Sequence, residues 1–260
     1  TDASAVVLTG LGDGFMDAGV PVVMSLLAHD EFGNRRHEGG DVFAAALLLD
    51  ASGTPEGSFV EVVDLGDGSQ TLISLATVTG MYTLSVTLDE VDIPLSPAPR
   101  QVLAGAIHLP TCVVAGADRG TIAGLATSFE IEGFDIFGNP RDLNDGPYGA
   151  QVALLGGGDD VAPLLAVSDW VQGGRHRVSY TPTLAGQYSV SVTFQSKGDA
   201  FFETVSVVVP AEVDAAKCVA AGPGLLEPLA GAEERFVITL KDRFGNRRLG
   251  GGQLGNLTAS

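Results

Sequence analysis

The side chains that could perform chemistry are few and widely separated in this chain of 260 residues. No H-x-x-x-H, C-x-x-C, G-x-S-x-G or phosphate-binding loop is present, so the common metal, nucleophile and nucleotide signatures are missing. We therefore predict no catalytic residue, no cofactor site and no metal site, and we interpret the chain as non-enzymatic. The histidines follow no ligand spacing: His29, His37, His108 and His176.

One acidic loop could bind a hard cation. Asp142, Asn144 and Asp145 bring three oxygen-bearing side chains together, and oxygen ligands are those that Ca²⁺ prefers. The segment that corresponds to this loop earlier in the chain, residues 36–40, lacks the set. We therefore favour a solvated turn. Asn256 opens an N-glycosylation sequon, which would matter only if the chain is secreted.

Composition excludes two classes of partner. The formal net charge is −18 with no basic patch, and such a field repels nucleic acid and anionic membrane surfaces. The longest apolar run, Phe43 to Leu49, is strand-sized and far below the roughly 20 residues that cross a bilayer. We predict no nucleic acid and no membrane insertion in this segment.

A seven-residue motif, D-x-F-G-N-x-R, organises the chain because it occurs three times. The copies start at Asp30, Asp135 and Asp242, which are 105 and 107 residues apart, the length of one small β-domain. Its recurring residues are Asp30, Gly33, Asn34, Arg36, Asp135, Gly138, Asn139, Arg141, Asp242, Gly245, Asn246 and Arg248.

The motif predicts a structural corner at the end of a strand. Gly and Asn tolerate the left-handed backbone of a sharp turn, and Asp can accept hydrogen bonds from amides beyond it. The Arg can reach a neighbouring carboxylate or carbonyl. A catalytic role for the motif is disfavoured, because all of its residues suit a turn.

Short runs of alternating polarity between turn residues predict six or seven strands in each repeat and no helix. Gly80-Met81-Tyr82 and Gly186-Gln187-Tyr188 each enter such a strand, and we expect the tyrosine ring to be buried with its hydroxyl returning to the backbone. The fold class predicted is all-β, with tandem immunoglobulin-like antiparallel sandwiches. The repeats predicted are 1–105, 106–209 and a truncated third over 210–260. Thr1 opens within a repeat, so we expect a longer natural chain.

The two cysteines occupy equivalent places in successive repeats. Cys112 lies 23 residues before Asp135, Cys218 lies 24 before Asp242, and Val6 holds the matching position in the first repeat. A residue interchangeable with Val is most simply a small buried hydrophobe. We expect thiols, mostly buried in the opening strands of different domains, which favours a reducing compartment.

Taken together, these motifs resemble filamin-type immunoglobulin-like repeats over essentially the whole chain. The order that carries the resemblance is Cys218 to Leu225, the D-x-F-G-N-x-R motif, Gly39-Gly40-Asp41-x-Phe43, Tyr180-Thr181-Pro182 and Gly186-x-Tyr188. The second repeat departs from the pattern at the double glycine, where Asn144 to Pro147 stand, and the first lacks Tyr-Thr-Pro.

The resemblance implies a spacer and docking module that binds protein partners and its own flanking repeats. In filamins a partner commonly adds a strand to an exposed sheet edge, where main-chain hydrogen bonds give affinity and alternating pockets give selectivity. Capping of these edges by loops is the alternative. The candidate partner edges by position are Val42, Ala44 and Ala46 in the first repeat, and Tyr148, Ala150, Val152 and Leu154 in the second.

Two functional classes stay open at this point. One is a structural scaffold inside the cell, in a cytoskeletal or ciliary assembly. The other is an extracellular cell-surface ectodomain of the kind that mediates gamete adhesion. The thiols and the single sequon favour the scaffold.

Overall fold

The computed structural model describes residues 1–142, 148–157, 161–195, 199–225, 231, 233 and 235–249. These residues form β-strands and four single-turn 3-10 helices, with no α-helix in the described ranges, which confirms the predicted all-β fold. No helix in this part of the chain is long and apolar enough to span a bilayer. The chain divides into two compact units, the first comprising Thr1–Cys112 and Gly133–Leu143 and the second the other described residues. The repeat boundaries predicted from sequence stay a prediction.

The first unit is a sandwich of two antiparallel-rich sheets. One sheet has the order β1-β3-β6-β5 and the other β2-β9-β7-β4, with β8 paired to β7. The strands are β1 (Val7–Thr9), β2 (Phe15–Asp17), β3 (Val22–Leu27), β4 (Phe43–Leu49), β5 (Ser58–Asp64), β6 (Ser69–Ala76), β7 (Gly80–Leu88), β8 (Val91–Asp92) and β9 (Ala98–Leu103).

Alternation along the strands builds the core of the first sandwich. In β7 every second side chain from Tyr82 to Leu88 is buried, because successive residues of a strand face opposite sides of the sheet. The opposing sheet contributes Met24, Leu26 and Leu72 to the same cluster. The apolar alternation that predicted the strands therefore also identifies the core.

The second unit holds another sandwich and a short pair of strands. Its sheets have the orders β10-β12-β16-β15 and β11-β18-β17-β13-β14, while β19 pairs with β20. The strands are β10 (Val113–Ala115), β11 (Thr121–Ile122), β12 (Thr127–Glu132), β13 (Tyr148–Leu154), β14 (Leu164–Leu165), β15 (Val167–Gln172), β16 (Arg175–Tyr180), β17 (Gly186–Phe194), β18 (Phe202–Val209), β19 (Val219–Ala221) and β20 (Val237–Thr239).

Two short strands differ from the sequence prediction. β2 pairs in parallel with the end of β9 just after the Gly10–Gly14 turn, and only one of its three residues is buried, so it carries no periodic signal. The segment Leu164 to Gln172, which reads as one stretch in the sequence, forms two strands. β14 pairs with β13, and β15 pairs with β16 in the opposite sheet, so the chain changes sheets at Ala166.

The cysteines lie one residue outside the strands in which they were predicted. Cys112 and Cys218 end the 3-10 turns Leu109–Thr111 and Ala215–Lys217, as Val6 ends Ala3–Ala5, so the predicted equivalence is correct. Both residues are thiols, but they are half-buried rather than mostly buried. The Sγ of Cys112 lies 3.5 Å from the carbonyl of His108, and that of Cys218 lies 3.3 Å from the carbonyl of Asp214.

The tyrosines of the two G-x-Y motifs adopt the predicted arrangement. Tyr82 and Tyr188 are almost completely buried at the start of β7 and β17. The Tyr82 hydroxyl donates to the carbonyls of Val78 and Glu56, at 3.0 and 3.1 Å, and the Tyr188 hydroxyl donates to Leu184 at 2.8 Å. Burial raises the pKa of both phenols. Each hydroxyl ties the loop before its strand to the core.

We predict that Tyr82→Phe lowers the free energy of unfolding of the first sandwich by about 1–2 kcal/mol, because buried carbonyls lose a donor while the ring still fills its place. Urea unfolding followed by circular dichroism measures the change. Tyr82→Leu is the companion variant and should cost more, since it also removes ring volume. Equal stability of Tyr82→Phe and the natural chain would contradict this role.

Candidate interaction sites

In each copy of the D-x-F-G-N-x-R motif, the aspartate side chain accepts hydrogen bonds from later residues of the same motif. In the second copy Asp135 Oδ1 accepts from the amides of Phe137 and Asn139, both at 2.9 Å, and Oδ2 accepts from Asn139 Nδ2 at 2.7 Å. Gly138 has φ +83°, in the left-handed region that glycine tolerates best. The aspartates of the other two copies, Asp30 and Asp242, bind their motifs in the same way.

The arginine of the motif completes the turn through its amide. The amides of Arg36, Arg141 and Arg248 donate to the carbonyls of Ala28, Gly133 and Leu240, each at 3.0 Å. The side chains differ: Arg36 lies 3.6 Å from Asp41, whereas Arg248 donates to the carbonyl of Ala211 at 3.1 Å. The recurring arginine thus serves local geometry.

The second copy also binds main-chain groups of the first sandwich. Asn139 Nδ2 donates to the carbonyl of Thr77 at 2.8 Å, and Asn139 Oδ1 accepts from the amide of Thr79 at 3.1 Å. Asp135 Oδ2 accepts from the amide of Gly105 at 2.9 Å. We call these three hydrogen bonds the latch. Both motif residues are buried in it, with exposed fractions of 0% for Asp135 and 6% for Asn139.

The third copy forms an equivalent latch within the second unit. Asn246 Nδ2 donates to the carbonyl of Thr183, and its Oδ1 accepts from the amide of Ala185, both at 2.8 Å. Asp242 Oδ2 accepts from the amide of Ala211 at 2.8 Å. The partners are main-chain groups in both units, so the latch does not depend on their side chains.

Beside the three hydrogen bonds of each latch, the phenylalanine of the motif packs against a glycine. The Phe137 ring lies against Gly19, and the Phe244 ring lies against Gly124. A Cβ on either glycine would overlap the ring, and both glycines have left-handed backbone, with φ +80° and +82°. Only glycine satisfies both conditions, so each sandwich presents a socket that fits the motif.

Sequence reasoning predicted the turn but missed the latch. It treated each motif as a corner within its own repeat, whereas the second copy is also bound by the segment before β7. The signal that was available is the pair Gly19 and Gly124, which are 105 residues apart in turns of otherwise different sequence. A glycine kept at one register position of a repeat indicates a close approach of another group.

Among the described residues, no salt bridge is seen to the carboxylate of Asp135 or Asp242 in either latch. Desolvation acts to raise the pKa of Asp135, but hydrogen bonds from Asn139 and from the amides of Gly105 and Phe137 outweigh it, so the pKa is lowered. Desolvation also acts to raise the pKa of Asp242, but hydrogen bonds from Asn246 and from the Ala211 amide outweigh it, so this pKa is lowered too. The ionised form is therefore the one that the latch stabilises.

The candidate edge of the first sandwich is β4, the terminal strand of its sheet. Leu49 donates its amide to Thr54, and the Leu47 carbonyl accepts from Ser58 Oγ at 2.6 Å, so these residues direct their main-chain groups away from β7. Main-chain direction alternates along a strand, which places the groups of Phe43 and Ala45 on the same outer side. Val86, which lies opposite Ala45 on β7, makes no use of Ala45 for its hydrogen bonds. Its amide donates to Ser96 Oγ, and its carbonyl accepts from the amide of Ile93.

This alternation changes which residues of the first repeat would contact an added strand. Ala44 and Ala46 direct their main-chain groups towards β7, and Val42 precedes β4 with 73% of its surface exposed. Their role as candidate partner residues stays a prediction, and only side chains on the outer face could carry it. The main-chain groups available at this edge are those of Phe43 and Ala45.

The corresponding edge of the second sandwich is partly occupied. β14 pairs with β13 at Gln151 and Val152, so the edge predicted to accept a partner at Val152 already has a strand beside it. Tyr148 and Val152 are core residues with exposed fractions of 3% and 0%. Ala150 and Leu154 are half-buried on the same strand. The role of these residues as a partner edge stays a prediction, and the two candidate edges differ because β14 covers part of the second.

The candidate calcium loop lies mostly outside the described residues, which include only Asp142. Asn256 also lies outside them. Within the described ranges, no group of three or more His, Cys, Asp or Glu side chains is arranged to hold a metal ion.

Comparison with known proteins supports the fold and the repeat type. No family model matches the chain. Filamin-C from Rattus norvegicus and from Mus musculus are each 29% identical over 135 residues, or 52% of the chain. The chain spans only 5% of the length of these relatives.

Solved structures of bacterial proteins share the architecture. The Escherichia coli adhesin FdeC covers 96% of the chain and 77% of its own, with a TM-score of 0.62 and 22% identity. Invasin, a bacterial integrin-binding protein, covers 85% of this chain and 42% of its own, with a TM-score of 0.56 and 12% identity. InvD of Yersinia pseudotuberculosis covers 95% and 73%, with a TM-score of 0.52 and 16% identity.

These findings define the fold: the chain is built of immunoglobulin-like β-sandwiches, and about half of it is similar in sequence to filamin-C.

We predict that Asn139→Ala lowers the free energy of unfolding by about 1–3 kcal/mol, because the half-buried Thr77 carbonyl and Thr79 amide lose their partners. Asn34→Ala is the matched control, since the Asn34 side chain bonds only Asp30 in the described structure. Urea unfolding of both variants gives the comparison. An equal loss in the two variants would show that the latch adds nothing beyond the local turn.

The latch should weaken in acid. Because the folded-state pKa of Asp135 lies below its ordinary value of 3.8, its stabilising contribution is present above that value and is lost as pH falls through the folded pKa. The difference in melting temperature between the natural chain and Asp135→Asn should therefore shrink as pH falls from about 6 towards 2. Because both proteins carry the other carboxylates, the difference between their melting temperatures removes the contribution of those groups. A difference that is constant over this range would contradict the assignment.

Proposed function

We propose that this segment is a non-catalytic scaffold that binds a protein partner by adding an extended segment of the partner to β4. The observation that carries the proposal is the outward main chain of Phe43 and Ala45 on a terminal strand. In the described structure neither residue has a hydrogen-bond partner on that side. Unpaired strand edges of this kind are templates for strand addition.

The surroundings of β4 define the chemistry of the partner. Val60 and Val62 on β5, the terminal strand of the opposing sheet, are half-buried and pack against the core, which supplies apolar contact beside the edge. Asp50 at the end of β4 is exposed, and the formal net charge of the chain is −18, so the field at the edge favours a basic partner. The partner that fits is an extended segment in which apolar residues alternate with lysine or arginine.

The scaffold class rests on the repeat type. Filamin-C is the relative to which about half of the chain is similar, and a spacer in a cytoskeletal or ciliary assembly is the role we propose. The features that recur between copies here are the turn, the latch and the buried tyrosine, all of which maintain structure. The second candidate is an extracellular adhesion ectodomain, favoured by the match of FdeC over 96% of the chain.

The edge mechanism is tested by selecting extended peptides that bind the full chain and then measuring their affinity for variants. Ala45→Pro should weaken binding by about tenfold or more, because proline removes the outward N–H while the β4–β7 hydrogen bonds are left in place. Ala45→Val keeps the amide and serves as the matched control. Circular dichroism must show an unchanged fold. Peptides that bind Ala45→Pro with full affinity would disprove strand addition at β4.

The two compartments are distinguished by labelling cells of the source organism with an antibody to this segment. The scaffold proposal predicts staining only after the cells are made permeable. Staining of intact cells, together with glycan on Asn256 in protein from those cells, would support the adhesion ectodomain instead.

A further inference from the structure

The first copy of the motif has the same internal structure as the two latched copies. Asp30 accepts from the amides of Phe32 and Asn34 at 2.9 and 2.8 Å and from Asn34 Nδ2 at 3.0 Å. Gly33 has φ +80°. The first motif is therefore preformed to the same degree as the others.

Its outer groups, however, have no partner in the described structure. Asn34 Oδ1 and the second Asn34 Nδ2 hydrogen correspond to the atoms with which Asn139 and Asn246 bind main-chain groups. Phe32 has an exposed fraction of 80%, against 49% for Phe137 in its socket. In the described part of the first copy, Asn34 Oδ1, the second Asn34 Nδ2 hydrogen and the Phe32 ring therefore lack the contacts that the other two copies make.

The register of the chain shows where the third latch donor would come from. The 3-10 turns Ala3–Ala5 and Leu109–Thr111 are equivalent, so Thr1 aligns with Ile107. Gly105, whose amide binds Asp135, therefore aligns with a position two residues ahead of Thr1.

We propose that the first motif, Asp30 to Arg36, is a docking site for a preceding β-sandwich of the same kind in the same polypeptide. The occupant presents a glycine against Phe32, a carbonyl and an amide two residues apart for Asn34, and a linker amide for Asp30. The inference is continuous with the two latches already described and does not depend on the proposed edge of β4.

The occupant is constrained more by backbone than by side chains. In the two latches the Asn binds Thr77 and Thr79 in one case and Thr183 and Ala185 in the other, always through main-chain atoms. The glycine opposite the Phe is the one side-chain requirement. Any repeat that keeps the loop before its G-x-Y strand and this glycine meets the conditions.

The proposal is tested by fusing a repeat ahead of Thr1 in the full chain. One fusion carries a second copy of residues 1–106, and the other carries residues 107–212, so both reproduce the natural linker register. Phe32→Trp in the natural chain, with Trp170→Phe in every copy of that residue, places a single indole at the motif. Phe137→Trp in the unfused chain reports the signal of a latched motif.

In the unfused chain, acrylamide should quench the Phe32→Trp indole as a solvent-exposed group. In at least one fusion the quenching should fall to the level of the Phe137→Trp control. Replacing the socket glycine by alanine in the added repeat, Gly19→Ala or Gly124→Ala, should restore exposure. A second measurement does not use the indole: Asn34→Ala should lower the melting temperature more in that fusion than in the unfused chain.

Exposure of the indole in both fusions, with equal effects of Asn34→Ala in fused and unfused chains, would overturn the proposal. Quenching that falls with concentration in the unfused chain would also overturn it, because the occupant would then be a second molecule of this chain.

Discussion

The structure depends on a buried carboxylate that is satisfied by amide donors alone. Burying a charge is costly unless its hydrogen-bonding capacity is met, and Asp135 meets it with the Phe137, Asn139 and Gly105 amides and the Asn139 side chain. One residue thereby defines the turn and binds the linker beside it. Because each donor has one position, the turn, the linker and the loop before β7 are fixed together.

This constraint explains why the motif recurs more faithfully than the strands around it. The residue between Asp and Phe varies freely as Glu31, Ile136 and Arg243, since it is exposed in all three copies. The Asp, Phe, Gly and Asn do not vary, because each occupies a place that its chemistry alone fills.

The sequence predicted the sandwich fold, the turn and the buried tyrosines, because each leaves a local pattern: alternation, Gly at positive φ, and Gly-x-Tyr. It could not predict the binding of Asn139 to Thr77 and Thr79, since those partners are main-chain groups and carry no side-chain signal. The sheet change at Ala166 was equally invisible, and with it the covering of β13 by β14. Main-chain direction along β4 likewise required the hydrogen bonds of Leu47 and Leu49.

The most direct test of this account is amide hydrogen exchange in the full chain, resolved residue by residue. Thr79, Gly105, Ala185 and Ala211 lie in loops and linkers, where amides ordinarily exchange fast, yet each donates to a latch. If they donate as described, we expect these four amides to exchange as slowly as those of the core strands. Exchange at the rate of an open loop would contradict it.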